Sequence, residues 1–212
     1  MQFILWTATA CVAVFVLYAL GFIGYREFII EKPRYSIFEK ADGYEVREYN
    51  SYITASYTRE SGDIDNGFMQ VARYIFGDNT TKQKVAMTSP VIDTPAEANG
   101  MGSEKIAMTS PVIDDQGTTS FVLPREYSIE DLPTPNNRKV SINEVPAKRW
   151  AVKRFLARDF RDQEFLETKR KELAQALIRD EKEFTGNYQY AFYDAPGLVW
   201  FLRKNEVWIE LD

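Results

Sequence analysis

The chain has 212 residues, with 31 acidic against 26 basic side chains, a formal net charge of −5, one cysteine and no histidine. A mildly acidic chain whose only basic cluster is Lys169-Arg170-Lys171 argues against a nucleic-acid partner. The missing histidine excludes Ser-His-Asp and Cys-His machinery and histidine-bearing zinc sites, and Cys11 alone can form neither a thiolate cluster nor an intramolecular disulfide.

Phe3 to Ile23 carry no charge, and Arg26 is the first charged side chain. As a helix this run spans about 31 Å, close to the hydrocarbon thickness of a bilayer. Trp6, Tyr18 and Tyr25 suit the two interfaces. A secretory signal would need a basic start and a shorter apolar stretch, so the expectation is an uncleaved transmembrane anchor over residues 1–25. Arg26, Lys32 and Arg34 after the span point to the cytoplasmic side for the C-terminal domain, but exported chains carry similar leaders, so the side stays open. A linker over 26–36 contains Pro33, which discourages helix continuation. Residues 37–212 suit one domain.

Within that domain, Gly43 to Tyr49 alternates as a half-buried strand does, and Asn50-Ser51 turns into a second strand over Tyr52 to Thr58. Asp63 or Asp65 can cap a helix from Ile64 to Phe76, with Ile64, Phe68, Val71 and Ile75 on one stripe and Gly77 after it. Strands are expected over 84–93, 105–114 and Thr118 to Leu123. The loop around 94–103 contains Gly100-Met101-Gly102-Ser103, which lacks the lysine of a phosphate-binding loop. Lys139 to Val145 and Arg149 to Phe155 read as strands around Pro146. Asp159 or Asp162 can cap a long helix through Glu181 that buries Leu166, Leu173 and Leu177, with Glu167 and Lys171 paired on its wet face. Tyr188 to Tyr193, Val199 to Arg203 and Val207 to Leu211 read as closing strands.

Lys84-Val85-Ala86-Met87-Thr88-Ser89-Pro90-Val91-Ile92-Asp93 recurs 21 residues later as Lys105-Ile106-Ala107-Met108-Thr109-Ser110-Pro111-Val112-Ile113-Asp114. Proline lacks the N–H donor and belongs at strand ends or bends, and the adjacent Thr and Ser hydroxyls can bond backbone groups left free there. The paired Met-Thr-Ser-Pro-Val pattern resembles the SOUL heme-binding protein family, whose members carry two Met-Thr-x-Pro-Val segments. A weaker repeat spans the halves: Val46-x-Glu48 matches Ile142-x-Glu144 at an offset of 96, and Asp65-x-x-Phe68 matches Asp162-x-x-Phe165 at 97. Each half then reads strand, strand, helix, strand, strand. The expected fold is α+β: a SOUL-like distorted antiparallel β-barrel from two ββαββ halves, two helices packed on it and the transmembrane helix before it.

The resemblance implies a small apolar ligand, heme or another tetrapyrrole, and no enzyme. Axial histidine ligation, assigned in some members, is impossible here; tyrosine and methionine remain as ligands. Other members are described as holding the ring in an apolar groove. Such a groove can be assembled from Phe68, Val71 and Ile75 as a wall, Trp200 near the mouth, and Arg73 or Arg203 facing the propionates. Met69, Met87 and Met108 are the candidate thioethers, each equally suited to core packing. Glu48 and Glu144 would be symmetry mates, and they read as surface residues. The expected function is a membrane-anchored tetrapyrrole carrier, buffer or sensor. The alternatives are a module for another apolar ligand such as a lipid, or a non-catalytic interaction domain. The duplicated architecture also resembles effector-binding domains of bacterial multidrug regulators, without their DNA-binding segment.

Overall fold

A computed structural model describes residues 30–59, 64–81, 103–115, 117–157, 159, 162–194 and 198–212, together with positions 6, 14, 17, 18, 21 and 24. Those six positions are helical. Among the described residues no helix is long and apolar enough to cross a membrane, and the expected anchor falls almost wholly outside them. The first Met-Thr-Ser-Pro segment, including Met87, also lies outside the described residues, as do Asp63 and the side chain of Asp65.

The chain runs β1 (Tyr35–Ala41), β2 (Tyr44–Tyr49), β3 (Tyr52–Thr58), α1 (Ile64–Ile75), β4 (Asn79–Thr80), β5 (Val112–Asp115), β6 (Thr118–Val122), β7 (Thr134–Pro135), β8 (Val140–Val145), β9 (Lys148–Phe155), α2 (Gln163–Arg179), β10 (Phe184–Phe192) and β11 (Asn205–Leu211). Nine strands form one antiparallel sheet in the order β1-β2-β9-β11-β10-β5-β6-β3-β8, while β4 and β7 pair separately. Exchanging the halves (β2 with β8, β3 with β9, β5 with β10, β6 with β11) reverses this order without changing it. β1 is the one addition. The register carries the same symmetry: Val46 opposes Ala151 as Ile142 opposes Ala55, and Glu48 opposes Arg149 as Glu144 opposes Ile53. The offset of 96 read from two residue matches is therefore the offset of the fold.

Period-two alternation sends one side chain of each strand pair outward to a helix and the next inward. On the outer face, Ala55, Tyr57, Phe121 and Val140 meet Val71, Ala72 and Ile75 of α1. In the other half, Val46, Ala151, Val207 and Ile209 meet Leu166, Leu173 and Leu177 of α2. Each of these leucines is fully buried, which contributes roughly 1.5–3 kcal/mol per side chain. The Asp162 side chain accepts from Phe165 N at 3.0 Å and caps α2. Gly77 ends α1 with a φ of +110°, the left-handed conformation a glycine adopts freely. A third cluster, including Tyr49, Tyr52, Val122, Trp150 and Trp208, fills the concave face.

Four expectations change. Among the described residues the sheet ends at β1 and β8, so it is a curled half-barrel and not a closed barrel. β1 begins at Tyr35, inside the expected linker. Lys105 to Pro111 is extended but outside the sheet, because Ile106 N bonds Ile75 O and Ser110 N bonds Glu31 O instead of a neighbouring strand. The expected strand Val199–Arg203 is a 3-10 turn over Trp200–Leu202, with Leu202 N on Val199 O and Arg203 N on Trp200 O.

Candidate functional site

Helix α1 has two unlike faces. Val71, Ala72 and Ile75 point into the core, while Met69, Arg73 and Phe76, spaced i, i+4 and i+7, share the outward face. Met69 is 49% and Phe76 57% exposed, a large apolar surface for one short helix. Phe76 extends the helical pattern by one residue through its bond to Ala72 O.

The second Met-Thr-Ser-Pro segment runs beside the end of this helix. Asn79 clamps it: its amide donates to Tyr74 O and to Glu104 O, and its side-chain oxygen accepts from Glu104 N. Ile106 then packs under α1, and Met108, two residues on, is 54% exposed. Thr109 Oγ1 donates to Val122 O and Ser110 N to Glu31 O, so the motif staples β6 to the segment entering the domain. The Thr109 hydroxyl thus acts as expected. The Ser110 hydroxyl is buried without a hydrogen-bond partner among the described residues, and the Ser110–Pro111 peptide is cis. Glu31 and Val122 both line a cleft of about 620 Å³ that also takes in Arg34, Ile53, Arg125 and Tyr127. Sequence reasoning missed this cleft, because its near wall lies in residues assigned to a linker.

The expected site residues therefore divide. Met69 and Arg73 stand together on the exposed face of α1, with Met108 on the neighbouring segment. Val71 and Ile75 are buried in the core beneath α1 and do not form an open pocket wall; Phe68 is partly buried, its ring 5.1 Å from Phe121. Trp200 and Arg203 belong to the β10–β11 connection, where Arg203 Nε donates to Leu198 O at 2.7 Å, whereas α1 packs on β3, β6 and β8. The described contacts do not bring these two groups into one slot. Glu48 is half exposed, within 3.7 Å of Arg149, and Glu144 is exposed too, as surface residues should be.

Two tyrosines hold their phenolic protons more tightly than usual. Burial pushes Tyr52 up to about 12. A hydrogen bond to the Glu104 carboxylate, with some burial, does the same for Tyr127. Among the described residues no group of three or more Cys, Asp and Glu side chains is placed to hold a metal ion.

Two ββαββ halves sharing one curled sheet, each backed by a helix, define the class: a duplicated α+β protein. The family model for the SOUL heme-binding protein matches residues 30–210, and the chain belongs to that family. It is 31% identical over 173 residues to human heme-binding protein 2, covering 78% of this chain and 77% of the relative. The mouse protein of the same name is 27% identical over 205 residues, covering 88% of this chain and 93% of the relative. A bacterial transcription regulation protein from Staphylococcus aureus superposes over 80% of this chain and 97% of its own with a TM-score of 0.38 and 8% identity, a likeness too slight to carry an argument.

Proposed function

We propose that the chain is a membrane-anchored, non-catalytic binding protein for heme or a related tetrapyrrole. The observation that carries this reading is the SOUL family match over residues 30–210, joined by the exposed Met69–Arg73–Phe76 face of α1. The residues fit the group. Met69, Phe76 and Met108 offer apolar contact to a porphyrin face, and the Arg73 guanidinium can pair with a propionate. Heme binding that relies on ring burial needs no histidine, and a thioether of Met69 or Met108 can add a weak iron contact. Bound iron would supply redox and gas-binding chemistry, while this chain would supply a surface, a cation and partial exclusion of water. A carrier, buffer or sensor role suits a site open enough to release its ligand.

The test is a hemin titration of the full chain in detergent micelles, followed by Soret absorbance, with an iron-free porphyrin as competitor. A saturable one-to-one change that porphyrin competes away is expected, weakened by Arg73→Ala and by Met69→Ala with Met108→Ala. Arg125→Ala reports on the cleft behind the motif as the alternative seat. Linear uptake indistinguishable from that of an unrelated protein would sink the heme reading. The exposed apolar face of α1 then favours another apolar ligand such as a lipid.

A further inference from the structure

The two halves of the sheet carry equivalent rungs with very different inward side chains. A shift of 96 residues places the Thr54–Asn143 rung on Trp150–Arg47. The same superposition of registers places Ser56–Ser120 on Val152–Trp208, and Thr58–Thr118 on Arg154–Glu206. In the second half Arg47, Trp150, Val152, Glu206 and Trp208 are buried and fill the concave space, while Arg154 is exposed. Tyr49 stacks on Trp208 at 4.4 Å, Trp150 lies 6.0 Å from Trp208, and Arg47 Nη1 donates to both Glu206 oxygens at 3.1 Å. In the first half, hydroxyls and an amide stand where tryptophan and arginine stand in the other, leaving a cavity of about 400 Å³.

That cavity is not an ordinary packing gap. It opens to solvent past the exposed Thr58, Ser141, Asn143 and Asn187, and a polar concavity of this kind holds water that a ligand can displace. Thr54 Oγ1 donates to Asn143 O at 3.4 Å, Ser56 Oγ donates to Thr54 Oγ1 at 3.3 Å, and Ser120 Oγ lies 2.8 Å from Ser56 Oγ, so the hydroxyl protons are used within the wall and oxygen lone pairs remain to accept. Trp150 lines the cavity and is only 5% exposed, yet its Nε1 has no acceptor among the described residues. That donor lies beneath the wall's surface, so the indole offers the cavity an aromatic edge and not a hydrogen bond. Lys148, the cation in the wall, is already paired with Glu210 at 2.7 Å, and Asn187 donates to the same carboxylate at 2.9 Å. The wall thus offers hydroxyls, amides, an aromatic edge and the Asp115 carboxylate, with its cation already paired to Glu210, a lining that accepts from ligand hydroxyls and disfavours an anion.

We propose that this cavity binds a neutral polyhydroxylated ligand of mono- or disaccharide size, either free or as the headgroup of a glycolipid. Ligand hydroxyls both donate and accept, which matches the Thr54–Ser56–Ser120–Asn143 surface. A sugar C–H group can rest on the part of the Trp150 ring that lines the cavity. The volume falls within the range of small-molecule pockets, roughly 300–1,000 Å³. The site is separate from the outer face of α1, so the reading does not depend on heme binding.

The experiment is isothermal titration of the full chain, held in a detergent without a sugar headgroup, with glucose, N-acetylglucosamine and maltose; inorganic phosphate serves as control. At least one sugar is expected to bind saturably at one site. Ser56→Leu, which fills the cavity, should abolish that binding. Trp150→Phe, which shrinks the aromatic wall, should weaken it about tenfold. The hemin titration should be unchanged in both variants. Should Ser56→Leu not fold, Ser120→Val removes a hydroxyl at similar volume and should weaken binding too. Phosphatidylcholine vesicles carrying a monoglucosyl diacylglycerol separate the sources: binding to vesicles alone assigns the headgroup, and binding of free sugar assigns the soluble ligand. No saturable binding in either format, or undiminished binding in the folded Ser56→Leu variant, overturns the proposal.

Discussion

At the residue scale, Glu206 is the most constrained side chain in the concave core. It has no exposed surface, and its carboxylate accepts from Tyr193 OH at 2.7 Å and Trp208 Nε1 at 3.0 Å as well as from Arg47, with Lys204 Nζ at 3.5 Å. Burial alone would raise its pKa, but the charges of Arg47 and Lys204 and the bonds from Tyr193 and Trp208 outweigh it and hold the pKa below the usual carboxylate range. Glu206→Gln leaves Arg47 buried with only Glu45 at 2.9 Å to answer it. The expected loss is about 3 kcal/mol, within the range for breaking a buried pair, read from urea unfolding at neutral pH. The sign of the pH dependence is fixed by that depressed value. A carboxylate with a lowered folded pKa contributes stability above its unfolded pKa, about 4.3, and that contribution fades as pH falls through the lower folded value. The gap between the wild type and Glu206→Gln should therefore close in acid; a gap that stays constant there would refute the assignment.

At the element scale, Gly67 decides how closely α1 approaches the sheet. Alanine is the better helix former by about 1 kcal/mol, so propensity alone says that Gly67→Ala stabilises. A Cβ at this position would sit 2.5 Å from Thr119 Oγ1 and 3.1 Å from Thr119 Cβ, a clash with a β6 side chain anchored next to its own backbone. Helix α1 would have to lift off β6, loosening the contacts of Val71 and Ile75. Gly67→Ala is expected to lower the melting temperature, and an unchanged or higher value would mean the helix has room to move. The same lift would disturb the face carrying Met69 and Arg73, so the variant should weaken hemin binding even where the fold survives.

At the scale of the whole molecule, the sheet order that reads the same when the halves are exchanged explains how one chain presents two surfaces. The helices cover the convex side, and the concave side is left to side chains alone. One half closes it with tryptophans and an ion pair, and the other leaves it polar and open. A charge-free N-terminal run precedes the domain, and this arrangement is expected to hold it at a bilayer. The full chain should sediment with membranes and resist alkaline extraction, while a chain lacking residues 1–25 should be released with its hemin response intact. Recovery of the full chain in the soluble fraction would remove the anchor from the proposal.

Local patterning wrote much of this into the sequence. Alternation marked β2, aromatic and β-branched content marked β3, the stripe of Ile64, Phe68, Val71 and Ile75 marked α1, and Asp159 or Asp162 as candidate cap marked the start of α2, because period, composition and capping depend only on near neighbours in the chain. The offset of 96 and the paired Met-Thr-Ser-Pro segments were legible for the same reason, and with them the family. What depended on partners distant in the chain was not legible. β1 becomes a strand because β2 accepts it as an edge, and Lys105 to Pro111 leaves the sheet because α1 and Glu31 take its N–H groups. Val199 to Arg203 has strand-like residues but no strand beside it. Val71 and Ile75 share a stripe with Phe68 on any helical wheel, but only the packing of α1 on β3 and β6 makes that stripe core and turns Met69 and Arg73 outward. The cavity is the clearest case: its hydroxyls are ordinary strand residues in sequence, and only the register across the seven strands that line it sets them opposite Trp150.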